Sequence, residues 1–231
     1  MSIKSKVIAA AATLTLVGGV SAVGALSATA ANAATPSCGH RCLDLFNREF
    51  GTHRHPAFVL DVLRQGAKVG QPIILYRTSN SDPAEDFTVS AQGTVGDFYK
   101  AGLVSAGLDL HYANFEAFEF EYAPNGADSN LCVGVGSTPV DGTKVALEPC
   151  GETAKTLWVV DSYDTVFGGY VPLINGADTN FSHPYVLNYP GGGAYPTNMP
   201  RPQLTTWTLS KYSNGAVYDN QLWGADFGVL R

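Results

Sequence analysis

Short apolar runs of five to seven residues recur along this chain, separated by clusters of Gly, Pro, Asn, Asp and Ser. FVLDV, PIILYR, DFTVS, AFEFEYA, LCVGV, KVALEPC, LWVVDS, YVPLI, YVLNY and TWTLS are rich in β-branched and aromatic residues, and each predicts a strand. A helical period occurs once, in AGLVSAGLDLHYA (101–113), where two glycines weaken it. In AFEFEYA and the residues before it, Glu116, Glu119 and Glu121 read as the solvated face of a strand. The pattern predicts an all-β chain.

The runs also repeat. HPAFVLDV (55–62) is echoed by HPYVLNY (183–189), and NGADSN (125–130) by NGADTN (175–180). Laid on one another they give three units. The first is FVLDV (58–62), GQPIILYR (70–77) and SNSDPAEDFTV (79–89); the second is LCVGV (131–135), GTKVALEPC (142–150) and AKTLWVV (154–160). The third is YVLNY (185–189), a Gly- and Pro-rich stretch, then QLTTWTL (203–209). Three such units predict a β-trefoil-like fold with three pseudo-repeats, in which one bulky ring per unit meets near a shared axis. Phe87, Trp158 and Trp207 are the expected rings. Phe87 and Trp158 stand 71 positions apart, Trp158 and Trp207 only 49, so an insertion of roughly residues 91–121 is expected between repeats one and two. An irregular β-sandwich is the alternative.

The units resemble the repeats of ricin-type β-trefoil lectins: Cys-x-Asp-Val, a turn glycine, an apolar-x-Leu-aromatic strand, often a second Cys, then Gln-x-Trp. LCVGV…GTKVALEPC…KTLW carries this order with both cysteines, and FVLDV…GQPIILYR…AEDF carries it without them. The resemblance implies a carbohydrate site in which a carboxylate accepts from two hydroxyls, an aromatic face stacks on the ring and an amide adds direction. In repeat one it puts Asp61 at the carboxylate position, Tyr76 at the platform and Glu85 where an amide is usual. Repeat two has Gly134, Glu148 and Thr156 there, which cannot do this chemistry. In repeat three the carboxylate becomes Asn188, and Gly191, Gly192 and Gly193 rewrite the platform region. NQLW (220–223) spells the closing Asn-Gln-x-Trp, but Trp223 follows Asn188 by 35 positions, against 26 from Asp61 to Phe87 and 24 from Gly134 to Trp158. Trp207 follows by 19, and TTWTL matches DFTV and LWVV around the ring, so Trp207 is expected to close the repeat.

The rest of the chain sets the compartment and narrows the partners. Lys4 and Lys6, an apolar run from Val7 to about Leu26, and Ala31-Asn32-Ala33 read as a secretory signal peptide over 1–33, leaving one domain over 34–231. Removing the two lysines leaves 12 basic against 20 acidic residues, a formal charge of −8. That acidity, without basic runs, argues against nucleic acid or anionic membranes as partners. A secreted, extracellular location makes bridges the natural state of Cys38, Cys42, Cys132 and Cys150. Of three connectivities, Cys38–Cys42 and Cys132–Cys150 are expected, the second stabilising by about 3 kcal/mol. Metal ligation by Cys38, His40 and Cys42 with His53 and His55 fits no standard zinc spacing, so no metal or cofactor is expected. No nucleophile elbow, zinc-protease helix or phosphate-binding loop occurs. The sequence therefore reads as a secreted, non-catalytic binding protein for glycans, through one degenerate site in the first repeat, or for an extracellular protein. Within the second class, a protease-inhibitor-like trefoil presenting a rigid loop is the specific alternative; a secreted hydrolase ranks below both.

Overall fold

The alternation of apolar runs and turn clusters resolves into twelve strands among the residues that the computed structural model describes: 42–50, 58–79, 82–151, 153–164, 169–191 and 202–227. They fall into three sets of four. The first comprises β1 (Leu43–Asn47), β2 (Phe58–Val62), β3 (Ile73–Arg77) and β4 (Phe87–Thr94). The second comprises β5 (Glu116–Tyr122), β6 (Leu131–Val135), β7 (Val145–Pro149) and β8 (Leu157–Val160). The third comprises β9 (Leu173–Asn175), β10 (Tyr185–Asn188), β11 (Thr205–Thr208) and β12 (Trp223–Phe227). The expected signal segment lies outside the described residues, as do Cys38, His40, His53 and His55.

The first and fourth strands of each set make a six-stranded antiparallel barrel, in the order β12–β1–β4–β5–β8–β9. A bridge from Val171 to Trp223 joins its two ends. The second and third strands form the hairpins β2–β3, β6–β7 and β10–β11. Bridges Pro72–Ala146, Ile74–Gln203 and Lys144–Thr205 tie each hairpin to both others, which makes a three-fold cap. Barrel and cap together are a β-trefoil.

The axis is marked by one ring per repeat. Phe87 pairs with Tyr122, Trp158 with Asn175 and Trp223 with Asn47, each ring facing the first strand of the following repeat. The indole of Trp158 donates to Val133 O and that of Trp223 to Leu187 O, both at 2.9 Å. Leu60, Val133 and Leu187 are the matching central residues of the second strands. All three rings belong to one buried core with Leu60, Leu75, Leu147 and Leu187. Trp207 does not belong to it: it is 43% exposed and sits on β11 opposite Val186. The third closing ring is Trp223, so NQLW is the genuine end of repeat three and TTWTL is its second hairpin strand, not its last.

The reason is where the extra residues fall. Glu85 follows the end of β3 at Arg77 by 8 positions and Thr156 follows the end of β7 at Pro149 by 7, whereas Gln221 follows Thr208 by 13. Part of the surplus is a small hairpin with a Lys211–Val217 bridge and Gly215 at φ +83° in its turn; the rest lies between β10 and β11, where Asn188 and its partner Thr205 stand 17 positions apart against 13 for Asp61–Ile74 and 12 for Gly134–Ala146. Together they delay the closing tryptophan without moving it. The NGAD echoes are likewise out of step. Asn175 matches Tyr122 and Asn47 in the barrel, while Asn125 lies three positions further on, in a one-turn 3-10 helix with a positive φ.

The expected insertion is present as an extension of the β4–β5 ladder that carries two short helices, α1 (Val95–Lys100) and α2 (Ala106–Tyr112). Thr94 and Asp97 form a capping box at the start of α1, a reciprocal pair of hydrogen bonds that the alternation of apolar residues does not announce. Val95, Phe98, Leu108 and Phe115 of this insertion pack on Leu157, Val159, Ile174 and Val186 as a second core. The Glu116–Glu121 reading is corrected in part. Glu116 is exposed, but Glu119 and Glu121 are buried, because β5 is a barrel strand whose carboxylates meet backbone N–H groups of neighbouring turns. Cys132 and Cys150 are bridged as expected, across the β6–β7 hairpin. Cys42 is disulfide-bonded; Cys38, its expected partner, lies outside the described residues.

Candidate functional site

The hairpin registers put the three repeats in correspondence. Asp61, Gly134 and Asn188 are one position; Tyr76, Glu148 and Trp207 are a second, each opposite the second residue of its partner strand. One-turn 3-10 helices, Pro83–Glu85, Ala154–Thr156 and Asp219–Gln221, place Glu85, Thr156 and Gln221 at a third position, two residues before the closing ring.

The third position is a backbone clamp. Glu85 accepts the Ser79 N–H with both carboxylate oxygens at 2.9 Å, and Gln221 accepts the matching Ser210 N–H at 2.7 Å while donating to Thr208 O. In repeat two Thr156 is too short to reach. There Glu119 crosses from β5, accepts the matching Gly151 N–H at 3.0 Å and accepts a second hydrogen bond from the Thr156 hydroxyl. A donor that would be orphaned at each hairpin exit is thus satisfied in all three repeats.

In repeat one Asp61 and Glu85 are buried and Tyr76 is half-buried. Asp61, Asp82 and Glu85 bring carboxylate oxygens within 4.8 Å of one another. Burial, followed by the Asp61 and Asp82 charges, pushes Glu85 up to about 8 against the Ser79 N–H. At neutral pH this acid is therefore largely protonated. Across the axis, Phe87 and Tyr122 replace the Trp–Asn pairs of the other repeats. The Tyr122 hydroxyl is buried with no hydrogen-bond partner among the described residues, and burial ahead of Asp61 pushes it up to about 12.

Repeat three is built otherwise. Asn188, Trp207, Asn220 and Gln221 line a shallow cavity of about 230 Å³ with Pro190, Ser210 and Tyr218. Trp207 presents its indole as one wall, and Tyr218 stands in a hairpin where its ring lies 4.4 Å from that of Tyr212. Asn220 Nδ2 donates to Asn188 Oδ1 at 3.0 Å and to Tyr189 O at 2.9 Å, and Asn188 Nδ2 donates to Thr205. This pins both amides at the cavity and leaves Asn220 Oδ1 unengaged by any described residue. The platform is thus Trp207 rather than the glycine stretch. Gly191 serves the backbone instead: a Cβ there would fall 2.1 Å from the Tyr189 ring, so only glycine lets the chain cross that ring. Gly192 and Gly193 lie outside the described residues. Neutral amides, a flat aromatic face and a void smaller than the roughly 300–1,000 Å³ of drug-sized pockets suit one polar ring with an apolar face.

No protein-family model matches this chain, and no curated protein does. Solved structures do. The designed three-fold symmetric protein ThreeFoil aligns at 16% identity and TM-score 0.50, over 79% of this chain and 96% of that one. An exo-β-1,3-galactanase of Clostridium thermocellum aligns at 13% identity and TM-score 0.51, over 81% of this chain but 30% of that one. A ricin B-like lectin of Macrolepiota procera, solved with lactose, aligns at 17% identity and TM-score 0.46, over 80% and 95%. At these identities the likeness is one of architecture, and the architecture of this chain is the β-trefoil.

Proposed function

We propose that this protein is a secreted, non-catalytic carbohydrate-binding β-trefoil whose working site is in repeat three. The observation that carries the reading is the juxtaposition of an exposed Trp207 face with the Asn188–Asn220 amide pair in one small cavity. Stacking on the indole desolvates the apolar face of a sugar, and the amides hydrogen-bond its hydroxyls in fixed directions. Repeat one offers the positions implied by the lectin resemblance, Asp61, Tyr76 and Glu85, and the same experiment weighs it. Secretion rests on the signal-like segment 1–33 and accords with the Cys132–Cys150 bridge.

A glycan array probed with residues 34–231 in oxidised form, beside Trp207→Ala, Asn220→Ala and Asp61→Ala, tests this. The expected result is binding that disappears in the first, falls at least tenfold in the second and survives in the third. Binding lost only in Asp61→Ala would move the site to repeat one. A blank array with folded protein would turn the reading towards a protein partner.

A further inference from the structure

A larger cavity, about 470 Å³, lies outside the three matching positions. The insertion supplies one of its walls, Tyr112 of α2. Asp161, Tyr163 and Asp164 of the turn after β8 form a second, Phe181–Pro184 a third, and Leu209 and Lys211 close it.

One lining carboxylate has an acceptor oxygen to spare. Asp161 is only 5% exposed; its Oδ1 accepts the N–H groups of Tyr163 and Asp164 at 3.0 and 3.3 Å. Its Oδ2 makes no hydrogen bond among the described residues, and Asp161 lines the cavity. The lysine of the lining is engaged elsewhere, since Lys211 Nζ sits 2.7 Å from Asp164 Oδ1 at the rim. Asp178, behind the loop, is buried with Oδ2 unpartnered among the described residues. Burial, followed by the Asp164 charge, raises Asp161 against its two backbone hydrogen bonds and Lys211, and burial followed by Asp161, Asp178 and Asp164 pushes the Tyr112 phenol up to about 12. Tyr112, Tyr163, Phe181, Pro184 and Leu209 make half of the lining aromatic or apolar, with Ser182 and His183 beside the charged groups; Tyr163 is 83% exposed and edge-on to Phe115. Among the described residues the lining holds no Asn or Gln, so it lacks the directional amides of the repeat-three site.

We propose that this cavity is a second ligand site, for a small organic cation: a primary ammonium group that donates to Asp161 Oδ2, on an apolar or aromatic stem that fills the space between Tyr112, Phe181 and Tyr163. A buried carboxylate gains most from a donor that also carries the compensating charge, and aromatic faces attract cations. A neutral hydroxyl supplies the hydrogen bond without the charge.

Benzylamine and its neutral counterpart benzyl alcohol separate these, with binding followed by NMR shifts of Tyr112 and Tyr163 in the 34–231 protein. Saturable shifts are expected with benzylamine, and at least tenfold weaker binding of the alcohol. Asp161→Asn keeps the Oδ1 acceptor on which the turn depends, and it should weaken benzylamine at least tenfold. Tyr163→Ala, an exposed change that leaves the turn's hydrogen bonds in place, should weaken it by a smaller factor. Trp207→Ala should leave it unchanged, so this site can fail while the sugar site stands, and the reverse. Equal binding of amine and alcohol, no saturable shift, or displacement of the amine by neutral sugars would overturn the proposal.

Discussion

In repeat one the three matched positions hold Asp61, Tyr76 and Glu85; in repeat three they hold Asn188, Trp207 and Gln221. The backbone frame and the clamp on the hairpin exit are the same, but the electrostatics differ. Repeat one gathers Asp61, Asp82 and Glu85, and burial with the two neighbouring charges raises Glu85 to about 8. Repeat three uses neutral amides, which can be buried once hydrogen-bonded and still turn an edge to solvent. Its added hairpin brings Tyr218 to the same cavity as Trp207, where a strand alone would be flat. One and the same repeat geometry thus yields an acid cluster or a docking face according to the charge of two side chains and the length of one loop.

The strongest way to break this comparison is at the axis. Trp223→Ala removes a buried ring and strands Leu187 O, at a cost of about 3–5 kcal/mol. Phe87→Ala, where no such hydrogen bond exists, should cost less; denaturant midpoints compare the two, and an equal or larger loss at Phe87 would deny the indole bond its role. The next effect is pH-dependent. Because Glu85 is raised from 4.5 to about 8 on folding, its contribution is fully present below pH 4.5 and is lost as pH rises through 8. Stability should therefore decline over that window, on the order of a few kcal/mol. Glu85→Gln, which copies Gln221, should flatten the decline; melting temperatures from pH 4 to 9 in both proteins decide it. The smallest effect on stability is expected at Trp207→Ala, within about 0.5 kcal/mol because the ring is exposed. If sugar binding vanishes while the melting temperature holds, the indole serves recognition; a large drop in melting temperature would make it structural.

Most of the strands, the three-fold count and the insertion are legible in the sequence because alternation and turn residues report burial on a β scaffold directly. Trp207 and Trp223 are not separable by spacing, since both the β10–β11 connection and the loop after β11 have grown in repeat three; the literal NQLW word is the better guide because it names a clamp and a ring together. Glu119 reads as solvated because alternation alone cannot show that Thr156 is too short for its own clamp. The amide pair of the repeat-three cavity is hidden for a related reason. Asn188 and Asn220 stand 32 positions apart, and only the β10–β11 register and the one-turn helix bring them to 3.0 Å. The cavity beside α2 leaves no sequence signal at all, being assembled from four separate segments.

The β1–β12 ladder also sets a clock. Asn47 meets Trp223 across 176 steps of chain, and each hairpin of the cap leans on the other two. Loop closure of that span must precede the contacts that reward it, so folding should be slow and nearly all-or-none. A nascent chain lacking β12 has no barrel to close, so the trefoil completes its fold only once β12 is free.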